Sequence, residues 1–579
     1  MPSTAGRARE SWLEIIDGSA PILLIAPHGG RAGAAAHATL HPKVNDLETA
    51  AIARELAHRL AARALINSAM DRNELDCNRL AQLAARAPWM LELIADQVER
   101  IARGHGRAVV LLIHGWNVIE PRVDLGLGLR EHDGHLRPPA GAQVSASDEF
   151  INGAVHALTE RLGAAGIAAT FGMRYPGGAR QNLLQAFTAR HRLSDSPALR
   201  RLAALSAQRV VDALQLELSI AVRLPGPLRT RGLAAITEAF RAGSPQRTAP
   251  SNGASPARVV IRKASPRPAA SAATGAEPTR FGVEFFDRAA GLGGVASFDL
   301  GAGGGGARIM ILFDGRHAAM FTAEGRPTCD ADSIALGPLR LALGAGGGAL
   351  GFQGPAIVVS DGSAYLNVEN AIAGGALDPG MRLAATLELD GGACVPRNGI
   401  APAACFGRLA GEIVIAGRRW TLDAVARVGV SLTALGAARF AARRTLWARF
   451  ERPRTWAALE AREILTTADD VRRDARMLSC GGGWRAATLG PIELTAATPP
   501  APPPRIAAMI HAAPDSAVTL AGRGENFMTL SRPGPDGVRI HTTIGFATFL
   551  LDGADGAGMY EYSRIAGRPA PDARLSRNG

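Results

Sequence analysis

At 579 residues the chain exceeds what one hydrophobic core organises, and it is expected to hold about three or four domains. Its 47% hydrophobic content excludes wholesale disorder. The net charge of +12 is spread along the chain with only 5% aromatic residues, so the basic, base-stacking face that nucleic-acid binding needs is missing. No apolar run approaches the roughly 18–20 residues of a bilayer span. The start of the chain lacks a basic segment followed by an apolar one. A cytoplasmic protein with no signal peptide, no membrane contact and no nucleic-acid partner is therefore expected. The five cysteines, Cys77, Cys329, Cys394, Cys405 and Cys480, are far apart with no C-x-x-C pair, which argues against a disulfide framework and a cysteine zinc site.

From residue 12 to 241, short apolar runs alternate with helical patterns. "PILLIAP" reads as a buried strand, and "DLETAAIARELAHRLAARA" as a helix with an acidic first turn. A short strand at "ALINSAM" precedes a helix, "APWMLELIADQVERIARGHG", that glycine closes. "AVVLLIHGWN" is a second fully apolar strand, and "ASDEFINGAVHALTERLGAAG" a helix capped by Ser147 or Asp148. "VVDALQLELSIAV" is a late strand, followed by the helix "GLAAITEAFRAG". This alternation predicts an α/β domain over residues 1–241 with a mostly parallel, doubly wound sheet.

Residues 242–279 are rich in Pro, Ser and Ala and read as a linker, in which "VVIRK" is the one segment able to pair as an edge strand. From 280 to 579, short alternating runs with hairpin turns such as "FDGRH" and "IAGRR" predict an all-β region of two barrels. The glycine run "LGAGGGGA" lacks the lysine of a phosphate loop and reads as a turn.

In a doubly wound sheet, ligands gather beyond the carboxyl ends of the strands. His28 in "LLIAPHGG" and His114 in "VLLIHGWN" both follow apolar strands, so both are expected at that rim, where two histidines suit a zinc ion. "VNDLETA" offers Asp46 and Glu48 as the third ligand. Glu217, within the apolar strand "ALQLELS", is costly to bury unless it faces a site, and there its raised pKa suits acid–base work. Arg72, Asn78 and Arg79 in "MDRNELDCNR" supply groups for an anionic substrate.

The ordered set "PHGG", "NDLET", "DCNR", "IHGWN", "YPGGARQN" and "LQLEL" resembles the N-formylglutamate amidohydrolase family, within the zinc-carboxypeptidase-like folds. The resemblance covers about residues 12 to 241. It implies that His28, Glu48 and His114 hold Zn2+, with Asp46 as the competing third ligand. It further implies that Glu217 is general base and then acid, and that Arg72 polarises the scissile carbonyl. Asn78 and Arg79 would grip a substrate carboxylate, and Arg180 in the "YPGGARQN" loop would wall the pocket. The substrate so implied is a small N-acyl, N-formyl-like amino acid or a short peptide. Where the family has aspartate before and serine after the strand-end histidine, this chain has Ile113 and Gly115.

The second half resembles the double lipocalin-like barrels of the carotenoid-hydratase and AttH-like group, through "LAGEIVIAGRRWTLDAVARVGVS" and "GMYEYSR". This implies an apolar small-molecule ligand for the barrel region. Asp314, His317, Glu561 and Arg564 are its polar residues of interest. Two other readings compete. A serine α/β-hydrolase would need a G-x-S-x-G elbow, which the chain lacks. A catalytically degenerate first half would leave the barrels as the working part, as a binder or a hydratase- or isomerase-like enzyme.

Overall fold

The computed structural model describes residues 12–31, 43–132, 135–242, 280–300, 305–330, 332–344, 346–366, 371, 374–390, 404–430, 440–451, 455–466, 470–480, 483–494, 505–513, 516–533 and 539–565. The chain divides into two compact units, Met1–Arg267 and Pro268–Gly579. The "VVIRK" segment and the centre of the "LGAGGGGA" run lie outside the described residues.

The strands of the first unit are β1 (Leu13–Ile16), β2 (Ile22–Ala26), β3 (Arg63–Asn67), β4 (Ala108–Trp116), β5 (Arg122–Gly126), β6 (Arg130–His132), β7 (His135–Arg137), β8 (Ala168–Phe171) and β9 (Val211–Ser219). Seven of them form one sheet in the order β1-β3-β2-β4-β9-β5-β8, while β6 and β7 pair separately. The centre is parallel, from β3 through β2 and β4 to β9. The edge strand β1 and the β5–β9 pair are antiparallel.

The apolar runs are strands because both sheet faces are covered. Leu23, Ile25, Leu65, Val110 and Leu112 pack with residues of the helices Pro88–His105 and Pro197–Ala207. The alternate residues Leu24, Leu111 and Leu214 are just as fully buried, so the other face is covered too. Each such side chain contributes about 1.5–3 kcal/mol by leaving water.

Two helix starts refine the sequence reading. The first helix begins at Thr49 rather than at Asp46, because Glu48 has a φ of 71° in the left-handed region. Both acidic residues therefore precede the helix instead of forming its first turn. The helical stretch from Asp148 is capped by Ser147, whose hydroxyl accepts from the Phe150 amide at 3.2 Å. It passes through a wider π turn at Ile151–Val155 before continuing as His156–Ala164.

The second unit holds two antiparallel eight-stranded barrels. In the first, His317–Glu324 pairs with Gly347–Val359 and closes the ring, while Thr328–Cys329, Ser333–Leu336 and Leu339–Gly344 extend beyond it. In the second, the first strand Phe440–Phe450 pairs with the last, Ala554–Ile565. Its apolar cluster includes Leu446, Leu459, Met477, Ile492, Ile510 and Phe549. Residues of the alternate parity on the same strands, Arg443, Trp447 and Glu561, are also buried. Arg427 of the first barrel reaches Glu460 of the second at 2.5 Å, so charged groups are buried where the barrels meet.

Of the polar residues singled out, Glu561 accepts from Arg443 Nη2 at 2.8 Å within this buried layer. Asp314 instead occupies an exposed left-handed turn and pairs with Arg418. Cys405 is disulfide-bonded, which the wide spacing of the cysteines did not suggest, whereas Cys77, Cys329 and Cys480 are not in disulfides. Among the described residues, no helix is long and apolar enough to cross a membrane.

Candidate metal centre

β2 delivers His28 to the rim two residues past its last residue, Ala26. The glycines after it are required by crowding rather than by an unusual backbone angle. A Cβ on Gly29 would lie 2.5 Å from the Asn67 carbonyl oxygen, and one on Gly30 1.9 Å from that of Met70. β4 delivers His114, whose register partner on β9 is Glu217; Glu217 is opposite Asp124 on β5. The three side chains thus come from adjacent strands.

His28, Asp46 and His114 are all buried, and one ligand atom from each lies within 4.8 Å of the others. Asp46 Oδ2 stands 3.2 Å from His28 Nδ1 and 3.2 Å from His114 Nδ1, and accepts from the Gly115 amide at 3.0 Å. The imidazole rings meet edge to face with centroids 4.9 Å apart. The glutamate expected as third member, Glu48, turns away and accepts from Arg229 Nη1 at 3.0 Å. Its left-handed backbone aims it outward, so the third member of the cluster is Asp46.

These donors fit a metal. His28 Nε2 is 2.8 Å from Asp76 Oδ1, the carboxylate–imidazole pairing that orients ligating histidines. Asp76 Oδ2 is in turn held by Lys43 Nζ at 2.7 Å. His114 Nε2 is buried with no hydrogen-bond partner among the described residues. Burial, with help from the charges of His28 and Arg72 and against the Asp46 hydrogen bond, pushes the His114 pKa down to about 4. It is therefore the neutral imidazole that a metal requires. Burial would raise the Asp46 carboxyl, but His28, the hydrogen bond of His114 and the charge of Arg72 outweigh it and hold Asp46 well below the usual range. Asp76 is likewise held far down by His28 and Lys43 despite its burial.

The His114 shift has a consequence for stability. Between pH of about 6.5 and about 4, the unfolded chain takes up a proton at this ring that the folded chain refuses. Stability of the metal-free protein is expected to fall as pH drops through that window, by up to about 3 kcal/mol from this group. Urea unfolding at pH 7 and 4.5 checks it, and His114→Gln is expected to flatten the dependence.

Around the cluster, Arg72 Nη1 donates to the Val44 carbonyl at 2.8 Å and to Asp46 Oδ1 at 3.3 Å. Glu217 is buried, and its Oε1 accepts from Gln215 Nε2 at 2.7 Å. Burial first, then the charges of Asp46 and Asp124, raise its pKa well above the usual value against the pull of Arg72 and Arg223. Arg79 is half exposed, with Nε 3.8 Å from Asp76 Oδ2. Asn78 Oδ1 accepts from the Leu183 amide at 3.2 Å. Arg180 is exposed on the "YPGGARQN" loop and makes no contact with the histidine cluster in the hydrogen bonds of the described residues.

Sequence reasoning passed over Asp76, Asp124, Gln215 and Arg223. Asp124 is fully buried and accepts from Thr170 Oγ1 at 2.8 Å and from the amides of Met173, Arg174 and Tyr175 at 2.9 Å, so it fixes the start of that loop. Its signal was a charge within the apolar run "RVDLG", the same sign that marked Glu217.

No protein-family model matches the chain, and no curated protein matches it. Solved structures resemble its fold. The N-formylglutamate amidohydrolase of Ralstonia eutropha aligns over 40% of this chain and 97% of its own, at 15% identity and a TM-score of 0.26. An AttH-like protein of Nitrosomonas europaea aligns over 50% of this chain and 94% of its own, at 14% identity and a TM-score of 0.34. Kievitone hydratase of Nectria haematococca aligns over 50% and 89%, at 9% identity and a TM-score of 0.30. These are distant likenesses of fold alone.

Proposed function

We propose that the α/β unit is a metal-dependent hydrolase that cleaves the amide bond of an N-acyl amino acid or short peptide, with zinc held by His28, Asp46 and His114. The observation that carries this reading is the buried convergence of those three side chains beside Glu217. Bound there, zinc supplies a Lewis acid for the scissile carbonyl and lowers the pKa of water at the site.

The remaining work falls to the chain's own groups. Glu217, with its raised pKa, takes a proton from the attacking water and passes it to the departing amine. Gln215 fixes one oxygen of Glu217, which leaves the other for the transfer. Arg72, beside Asp46, is the cation that stabilises charge growing on the carbonyl oxygen. Asn78 and the half-exposed Arg79 offer a donor pair for a substrate carboxylate, and Arg180 on its exposed loop is a further cation for it. Asp76 keeps His28 oriented throughout.

Metal analysis and hydrolysis assays on a panel of N-formyl and N-acetyl amino acids test this. The purified protein is expected to carry stoichiometric zinc. The His28→Ala, His114→Ala double variant should lose the metal and at least about 100-fold in hydrolysis, beyond what outer-shell changes cost. A wild-type protein without zinc, or a double variant with unchanged hydrolysis, would sink the reading.

A further inference from the structure

The turn that carries Asp46 and the strand end that carries His114 share a pair of anchors from elsewhere in the chain. Glu48, two residues beyond Asp46, has a φ of 71°. A non-glycine residue keeps that conformation only where its surroundings hold it. The holder is Arg229, whose Nη1 donates to Glu48 Oε2 at 3.0 Å and to the Arg223 carbonyl at 3.3 Å. Arg229 Nη2 also reaches Glu55 Oε2 at 3.4 Å.

Arg223, in the short helix Ile220–Arg223 directly after β9, is fully buried. Its Nη1 donates to the Leu47 carbonyl at 2.9 Å. Its Nη2 donates to Asn117 Oδ1 at 2.8 Å and to the Trp116 carbonyl at 3.4 Å. A buried guanidinium is costly unless acceptors surround it, and here they come from both ligand-bearing segments. A Cβ on Gly115 would lie 2.5 Å from Arg223 Nη1, so the residue after His114 must leave that space to the guanidinium. This gives a physical reason for glycine where the resembled family has serine. The Gly115 amide in turn donates to Asp46 Oδ2 at 3.0 Å, which closes the circuit.

We propose that Arg223 and Arg229 form a clamp that holds the Asp46–Glu48 turn against the end of β4, so that Asp46 and His114 reach the metal pre-set, with Glu48 as the clamp's handle rather than a ligand. Both arginines are positioning residues, in a role that rests on the metal reading above. A planar fork suits it, because it spans two segments at once where an ammonium would hold one.

The test uses the full chain with Glu48→Gln, Arg229→Gln, their double variant and Arg223→Lys. Zinc affinity is read by chelator competition, and amide hydrogen exchange is read on the metal-free protein over residues 43–50 and 113–119. Each single variant is expected to weaken zinc about tenfold, in the range of outer-shell changes. The double variant should be no worse than the weaker single, since the pair acts as one unit. Exchange should rise in both segments, although the substituted residues 48 and 229 touch only the first. If the buried Arg223→Lys variant fails to fold, the Glu48 and Arg229 variants, at part-buried positions, still decide the matter. Exchange rising only around residue 48, with zinc affinity within twofold of wild type, overturns the clamp. A wild-type protein that binds no zinc removes the metal reading, while the exchange pattern of the metal-free chain still supports or overturns the clamp.

Discussion

Glu217→Gln is expected to lower amide hydrolysis by about 10²–10⁴-fold while zinc content stays at the wild-type level. Glutamine keeps the volume and the hydrogen-bonding shape of the side chain and removes only its ability to carry a proton. It also removes a buried carboxyl that Asp46 and Asp124 repel, so the variant should fold at least as well as wild type. The loss should therefore appear in kcat, with KM little changed. The pH profile adds a second check. Burial and the two neighbouring carboxylates raise the Glu217 pKa, so its basic form accumulates only above the usual carboxylate range. Wild-type activity should fall on the acid side with a midpoint well above about 4.3, and that limb should vanish from the residual activity of the variant. Activity within about tenfold of wild type would remove Glu217 from the chemistry, since general acid–base groups seldom contribute so little.

The sequence made some of this site legible and hid the rest for identifiable reasons. β2, β4 and β9 were readable because a strand covered on both faces must be apolar along its length, and the histidines and Glu217 interrupt that rule where they stand. The choice between Asp46 and Glu48 was not readable. It turns on one left-handed residue, and a glutamate there leaves no mark in composition or periodicity. The anchors of that turn lie far along the chain, at Arg223 and Arg229, so no local pattern links them to it. The antiparallel strands β1 and β5 were missed for different reasons: β1 is a four-residue edge strand that is only partly buried, and β5 is a five-residue buried strand whose short apolar run is interrupted by Asp124. In the second unit, alternation announced the strands and the barrels. It could not show that outward-facing positions of both barrels are buried against each other, because a charged residue in a strand normally reads as facing water.

That buried junction is where a single substitution should destabilise most. Arg427→Met is expected to cost about 3–5 kcal/mol, because it leaves buried carboxylates without their cation. Arg427 is fully buried, with Nε 2.5 Å from Glu460 Oε1 and Nη1 3.2 Å from Glu284 Oε2. Glu460 keeps a second partner in Arg476, but Arg427 is the one arginine found within ion-pair reach of Glu284 among the described residues. Burial already raises the Glu284 pKa, with the charges of Glu460 and Glu561 adding to it and Arg427 opposing them. Without Arg427, Glu284 must bind a proton to stay buried. The folded variant then holds a proton that the unfolded chain releases above about pH 4.3. Its stability should consequently fall as pH rises from about 5 to 8, and the deficit relative to wild type should be smallest at the acid end. Adding Glu284→Gln and Glu460→Gln should restore much of the lost stability, since the penalty comes from uncompensated charge more than from lost packing. Thermal unfolding of the three proteins at pH 5 and 8 decides it. A deficit that is independent of pH and unrelieved in the triple variant would mean that Arg427 acts through shape alone.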